Sequence, residues 1–153
     1  MRDGNIFFLV LNRPDNTINP QVIKSLNEKL DIVSNSEGPV VLVTMGTGSK
    51  VFSTGFDLTH WKADVTNSFE TSATMLSVFK KLITLNVPTL CLMNGHSYAG
   101  GLFLGLCHDF RIIAAKAKIC FTEITVGVGM SPAYTALATN LLDSQVARQL
   151  TLG

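Results

Sequence analysis

Asn94-Gly95-His96-Ser97-Tyr98-Ala99-Gly100-Gly101, followed one apolar turn later by His108-Asp109-Phe110-Arg111-Ile112, is the stretch whose reading decides the fold. A strand from Pro88 to Met93 runs into a glycine turn, and Ala99 to Leu106 has the composition of a buried helix opening on it. The first turn of a helix carries N–H groups without intrahelical partners and a partial positive charge. Such an elbow is therefore placed to hold an anion, or an oxygen becoming one. A dinucleotide-binding turn is the other reading of glycines after a strand, and it fails. Gly95-x4-Gly100-Gly101 is not G-x-G-x-x-G, and no acidic residue ends a second strand about 20 residues on.

Upstream of the elbow, Asn5 to Leu11 is an apolar run suited to a buried strand, and Asn19-Pro20 supplies an N-cap with proline in the first helical turn. Val22, Ile23, Leu26, Leu30 and Val33 then form one apolar helical face, which the Ser34 to Gly38 cluster ends. Pro39 to Met45 reads as a strand covered on both faces. Gly46 to Asp64 reads as a functional loop, and Phe69, Ala73, Leu76, Phe79 and Leu82 as the inward face of a long helix that Asn86-Val87-Pro88 terminates. Downstream, Asp109 to Ala114 and Ile119 to Phe121 read as short strands. Ser131-Pro132 opens a helix over Ala133 to Leu141, and a second helix begins near Asp143. Alternating helices and apolar strands argue for an α/β core with parallel strands and right-handed crossovers.

The chain has 153 residues, 46% of them hydrophobic and 15% charged, enough for one sizeable core and a single domain, 1-153. Twelve basic against eleven acidic residues leave no charge excess to support nucleic-acid or anionic-membrane binding. No apolar run reaches the roughly 18 residues that a membrane span needs, and the N-terminus is no signal peptide. Cys91, Cys107 and Cys120 sit in apolar contexts and read as core thiols of a reducing compartment or organelle matrix. Together with His96 and His108 they lack the paired short spacings of a zinc site.

Four motifs in order resemble the crotonase superfamily of enoyl-CoA hydratases and isomerases. They are Leu11-Asn12-Arg13-Pro14 with Asn16-Thr17-Ile18-Asn19; Val51-Phe52-Ser53-Thr54-Gly55-Phe56-Asp57-Leu58; the elbow; and Phe121-Thr122-Glu123-Ile124-Thr125-Val126-Gly127. The resemblance covers nearly the whole chain. It implies a spiral of stacked ββα units and a trimer, a dimer of trimers or a place in a larger assembly. It also implies further C-terminal helices, so that this chain is expected to be the N-terminal part of a longer protein. An acyl-CoA thioester is the implied substrate, with no cofactor, and the mitochondrial matrix or peroxisome the implied compartment.

By the same resemblance, the N–H groups of Phe56 and Gly100 would hold a thioester oxygen as it becomes an enolate. The backbone around Ser53, Gly55, Asp57 and Leu58 would meet the adenine end of coenzyme A. Asn16 to Ile18 would border the pantetheine, and Tyr98 belongs to the same binding surface. Each position also has a plainer reading: a loop turn at Gly55, helix-to-strand packing at Gly100-Gly101, an N-cap at Asp57, a salt-bridged or exposed carboxylate at Glu123. Hydratases of this family use two glutamates, and aligning the elbow puts Phe103 at the first position and Glu123 at the second. One carboxylate suits a double-bond shift, as in the Δ3,Δ2-enoyl-CoA isomerases, with Glu123 as acid and base in an apolar setting of Phe121, Ile124 and Val126 that raises its pKa. Val128-Gly129-Met130-Ser131-Pro132-Ala133-Tyr134 departs from the hydratase pattern and resembles some isomerase branches. A subunit kept for assembly, with reduced catalysis, is the alternative. His96 is expected to be a packed core histidine.

Overall fold

The structure, a computed structural model, describes residues 1–152; Gly153 lies outside the described residues. The chain runs β1 (Arg2–Asp3), β2 (Ile6–Leu11), α1 (Pro20–Ser34), β3 (Val41–Gly46), β4 (Val51–Ser53), α2 (Leu58–Ala63), α3 (Val65–Ile83), β5 (Thr89–Met93), β6 (His96–Tyr98), α4 (Gly100–Leu106), β7 (Phe110–Ile113), β8 (Ile119–Cys120), α5 (Pro132–Leu141) and α6 (Ser144–Leu152). Five strands form one sheet in the order β1-β2-β3-β5-β7, parallel except for β1, and three form a second parallel sheet in the order β4-β6-β8. Each repeat therefore places one strand in the large sheet, the next in the small sheet, and a helix after them: β3, β4 and α3; β5, β6 and α4; β7, β8 and α5. This is a spiral of ββα units.

The expected helices form, although Ser131 stands before α5 without a side-chain capping bond and leaves Pro132 in the first turn as the start signal. The Asn19 side chain accepts from the Val22 N–H at 3.1 Å with Pro20 in the first turn of α1, and Ile23, Leu26, Leu30 and Val33 are buried. Asp143 caps α6 by accepting from Gln145 and Val146. The Pro39–Met45 strand is β3, Val41–Gly46.

Two expectations need correction. The second sheet lay hidden in the regions expected to be a loop and a turn, since β4 and β6 have three residues each and alternate too briefly to show a period. The inward face of α3 is Thr71, Met75, Val78, Phe79 and Leu82, whereas Phe69 is 72% exposed and Ala73 is exposed as well. Both stripes have helical spacing on a helix that mixes apolar and polar residues on every side, and packing against α1 selects between them. Among the described residues no helix is long and apolar enough to cross a membrane.

Candidate active site

Two loops meet where the sheets diverge. Ile18 donates its N–H to the Gly55 carbonyl at 2.8 Å and accepts from the Asp57 N–H at 2.9 Å, so the first loop and the β4–α2 loop run as a short parallel ladder with Phe56 between the bonds. The Asn16 side chain reinforces it, donating to the Phe52 carbonyl at 2.9 Å and accepting from the Arg13 N–H at 2.9 Å. The Ser53 hydroxyl donates to the Asn16 carbonyl at 2.7 Å and accepts from the Gly55 N–H at 3.2 Å. Asn16, Ile18 and Ser53 are all buried. Their side chains are therefore structural, and only backbone there is available to a ligand.

Gly55 has φ +85°, and a Cβ on it would lie 3.0 Å from the Gly100 nitrogen and 2.9 Å from the Tyr98 carbonyl. No other residue fits a left-handed position in that contact. The β4–α2 loop and the first turn of α4 thus touch through their backbones. Among the described residues neither the Phe56 nor the Gly100 N–H finds an acceptor in the chain. Two adjacent free donors, one of them at a helix N-terminus, are the arrangement that favours a developing oxyanion.

Ahead of Gly100, Ala99 has φ 47° and ψ −124°, a conformation that an L-residue adopts only under constraint, at a cost of about 1–3 kcal/mol. The constraints are visible: its N–H donates to the Cys120 carbonyl, and its own carbonyl receives the N–H groups of Leu102 and Phe103. Gly101 has a different task. A Cβ there would sit 2.6 Å from the Ser53 Cβ, so Gly101 serves close packing of α4 on β4, the plainer of the two roles open for the glycine pair.

Glu123 follows β8 and leads into a 3-10 turn over Ile124–Val126. Its Oε2 is enclosed and has no hydrogen-bond partner, and burial raises its pKa above the ordinary carboxylate value despite its own backbone N–H, which lowers it. The carboxylate lies near enough to Tyr134 and Cys120 for its charge to add to the effect of burial in raising both of their pKa values. Of the expected apolar setting Phe121 is buried, whereas Ile124 is 59% exposed and Val126 is also exposed. Phe121 belongs to an aromatic stack. Phe103 lies on Phe121 with ring centroids 4.6 Å apart, and Tyr134 meets Phe103 edge-on at 5.0 Å and Phe56 at 6.3 Å, its hydroxyl donating to the Ser72 carbonyl. Phe103 is wholly buried, so no water-handling group stands at that point of α4.

The rest of the expected set is placed as follows. Asp57 is the N-cap of α2, accepting from the Thr59 and His60 N–H groups, while Leu58 is 38% exposed beside it. Trp61 on the same helix meets the Phe56 ring edge-on at 4.7 Å. Tyr98 is half-buried and stacks on His96. His96 is no core histidine: it is half-buried, and its Nδ1 accepts from the Lys118 N–H at 2.9 Å. The sequence reading missed Asn94, which accepts from the Gly46 N–H and donates to the Gly46 and Gly48 carbonyls, fastening the end of β3 to the elbow. A single asparagine before glycine carries no signal for a bond spanning 48 residues. Cys91 and Cys107 are buried as expected, whereas Cys120 is half-buried, and no group of three metal-ligating side chains occurs among the described residues.

Comparison with known proteins agrees with this geometry. The model of the enoyl-CoA hydratase/isomerase family matches residues 2–152. The chain is 27% identical to the crotonyl-CoA hydratase of Syntrophomonas wolfei subsp. wolfei, with 97% of this chain covering 58% of that protein. It is 29% identical to the peroxisomal enoyl-CoA delta isomerase 2 of Arabidopsis thaliana, with 95% covering 64%. An enoyl-CoA hydratase/carnithine racemase of Magnetospirillum magneticum has the same fold, with TM-score 0.91 and 24% identity over 99% of this chain and 58% of that one. The chain thus spans about three fifths of the length of these relatives. Enzymes of this kind act on coenzyme A thioesters without a cofactor. With the ββα spiral, the paired free N–H groups and a family match over residues 2–152, the chain belongs to the enoyl-CoA hydratase/isomerase, or crotonase, family.

Proposed function

We propose that the chain is an enoyl-CoA isomerase that converts a 3-enoyl-CoA into the trans-2-enoyl-CoA. The observation that carries this reading is the Glu123 carboxylate, enclosed and unpartnered, with the aromatic Phe103 in place of a second acid. Glu123 takes the proton from C2, the C2–H electrons form the C2=C3 bond, and the former C3=C4 pair picks up the same proton at C4. Between these steps the charge rests on the thioester oxygen of a dienolate, held by the Phe56 and Gly100 N–H groups. The carbonyl of the ground state carries far less charge, so donors fixed in advance lower the barrier, each by about 3 kcal/mol. Burial makes Glu123 a stronger base, suited to a weakly acidic carbon.

The backbone around Ser53, Gly55, Asp57 and Leu58 would receive the adenine end of coenzyme A, and Asn16 to Ile18 with Tyr98 the pantetheine. The reading extends to fatty acid β-oxidation in a peroxisome or mitochondrial matrix, the peroxisomal relative being its support. It includes a homotrimer, a dimer of trimers or a larger assembly, supported by the exposed Phe110, Ile112 and Ile113 of β7.

Parallel assays of the parent and Glu123→Gln for isomerisation of a 3-enoyl-CoA and hydration of a 2-enoyl-CoA test the reaction. The parent is expected to isomerise without hydrating, and the variant to lose about 10²–10⁴-fold in rate. Full activity in Glu123→Gln, or hydration by the parent, would sink the reading. Neither activity in a folded preparation would favour an assembly subunit instead.

A further inference from the structure

One cavity is lined without Glu123. It is an open groove of about 830 Å³ between β2 and α1. Phe7, Leu9 and Leu11 lie along its strand side. Val22, Ser25, Leu26, Lys29 and Ile32, spaced three and four apart, line its helix side. The eleven helical steps from Val22 to Val33 extend roughly 16 Å, which makes the groove an elongated trough.

Its charge is one-sided. The ionisable side chains lining it are Arg2, Lys29 and Arg13, and no aspartate or glutamate is among the lining residues. A protein with eleven acidic side chains against twelve basic ones has no general excess that would produce this. Asp31, on the opposite side of α1, is engaged by Lys81 at 2.6 Å, so it leaves Lys29 unneutralised. Arg2 is held in place at one end, with its guanidinium 5.0 Å over the Phe7 ring and its Nε donating to the Gly4 carbonyl. An apolar trough with cations along its rim fits a ligand with an extended hydrocarbon body and one anionic head.

We propose that the groove between β2 and α1 binds a free long-chain carboxylate, with its alkyl chain along Phe7, Leu9 and Val22 and its head group among the cations of the rim. One end of the groove reaches Asn16 and Thr17, which border the pantetheine in the proposed function, but Glu123 does not line it, so the proposal stands whether or not Glu123 is a catalytic base.

The test is saturable binding of a fluorescent polyene fatty acid to the 153-residue chain, with palmitate, palmityl alcohol and free coenzyme A as competitors. One molecule is expected to bind and to be displaced by palmitate, but not by the uncharged alcohol or by coenzyme A. Lys29→Glu with Arg13→Glu is expected to weaken binding at least tenfold, and Ser25→Trp, at an exposed rim position, to block it. Glu123→Gln should leave it unchanged. Absence of saturable binding, insensitivity to both groove variants, loss in Glu123→Gln, or displacement by coenzyme A would each overturn the proposal. So would sedimentation showing self-association that Ser25→Trp abolishes while the probe fails to bind.

Discussion

The two ends of α4 are opposites. At its C-terminal end the backbone acceptors are taken: Arg111 donates to the Leu106 and His108 carbonyls, and the buried His108 donates from Nδ1 to the Leu104 carbonyl while its Nε2 accepts from the Thr44 hydroxyl. Asp109 adds a reciprocal pair with Thr89, receiving the Thr89 N–H and hydroxyl and returning its own N–H to that hydroxyl. At its N-terminal end Ala99 is strained and Gly100 has a free N–H. The same seven-residue helix is thus anchored at one end so that it can hold unspent donors at the other. Anchoring and the proposed oxyanion contact are divided along one element, and substitutions at its two ends should fail in different ways.

Breaking the anchored end has the largest expected effect on stability. His108→Leu leaves the Leu104 carbonyl and the Thr44 hydroxyl buried without partners, and should cost about 3 kcal/mol in denaturant unfolding while the folded fraction keeps its kcat. The parent carries a pH signature that this variant should lack. Burial, first of all, lowers the His108 pKa from 6.5 to about 4. The unfolded chain therefore binds the proton more readily, and the neutral ring's contribution is complete above pH 6.5 and lost as pH falls toward 4, an amount of roughly 3 kcal/mol. Gly101→Ala tests the packing that carries the N-terminal end. Its Cβ would overlap Ser53, so a loss of about 2 kcal/mol is expected together with a lower kcat, since the first turn must move. The smallest effect is a gain. Ala99→Gly should relieve the strained φ and stabilise by about 1 kcal/mol, checked by melting temperature, and a loss of stability would show that Ala99 is not strained.

Much of this contrast was legible before the structure. The elbow and the helix after it follow from glycine placement and apolar composition, while Glu123 was singled out by the family resemblance alone. What was not legible depends on long-range pairing. The β4–β6–β8 sheet is built from strands of two and three residues that gain order only from one another, as in Val51↔His96 and Ser97↔Ile119. His96 on the elbow could be read as a hydrogen-bonding or a packed core histidine, with the core favoured, yet β6 turns His96 and Tyr98 to the outer face and Ser97 inward. The surroundings of Glu123 were legible only in part. Phe121 is buried as its apolar context suggested, whereas Ile124 and Val126 leave on a 3-10 turn, and Tyr134, 11 positions away, comes close to the carboxylate only through the fold. Ser97, with its hydroxyl buried and unpartnered, has no role that the structure explains.

The Phe121 N–H donates to the Leu150 carbonyl at 2.7 Å, so the strand that delivers Glu123 is tied to the last turn of α6. During synthesis Glu123 precedes Leu150 by 27 positions, a delay of roughly one to five seconds at ordinary translation rates. For that interval the bond that ties the strand before Glu123 to α6 has no acceptor. The tie that fixes the Glu123 side of the candidate site is therefore the last of its described bonds to be made.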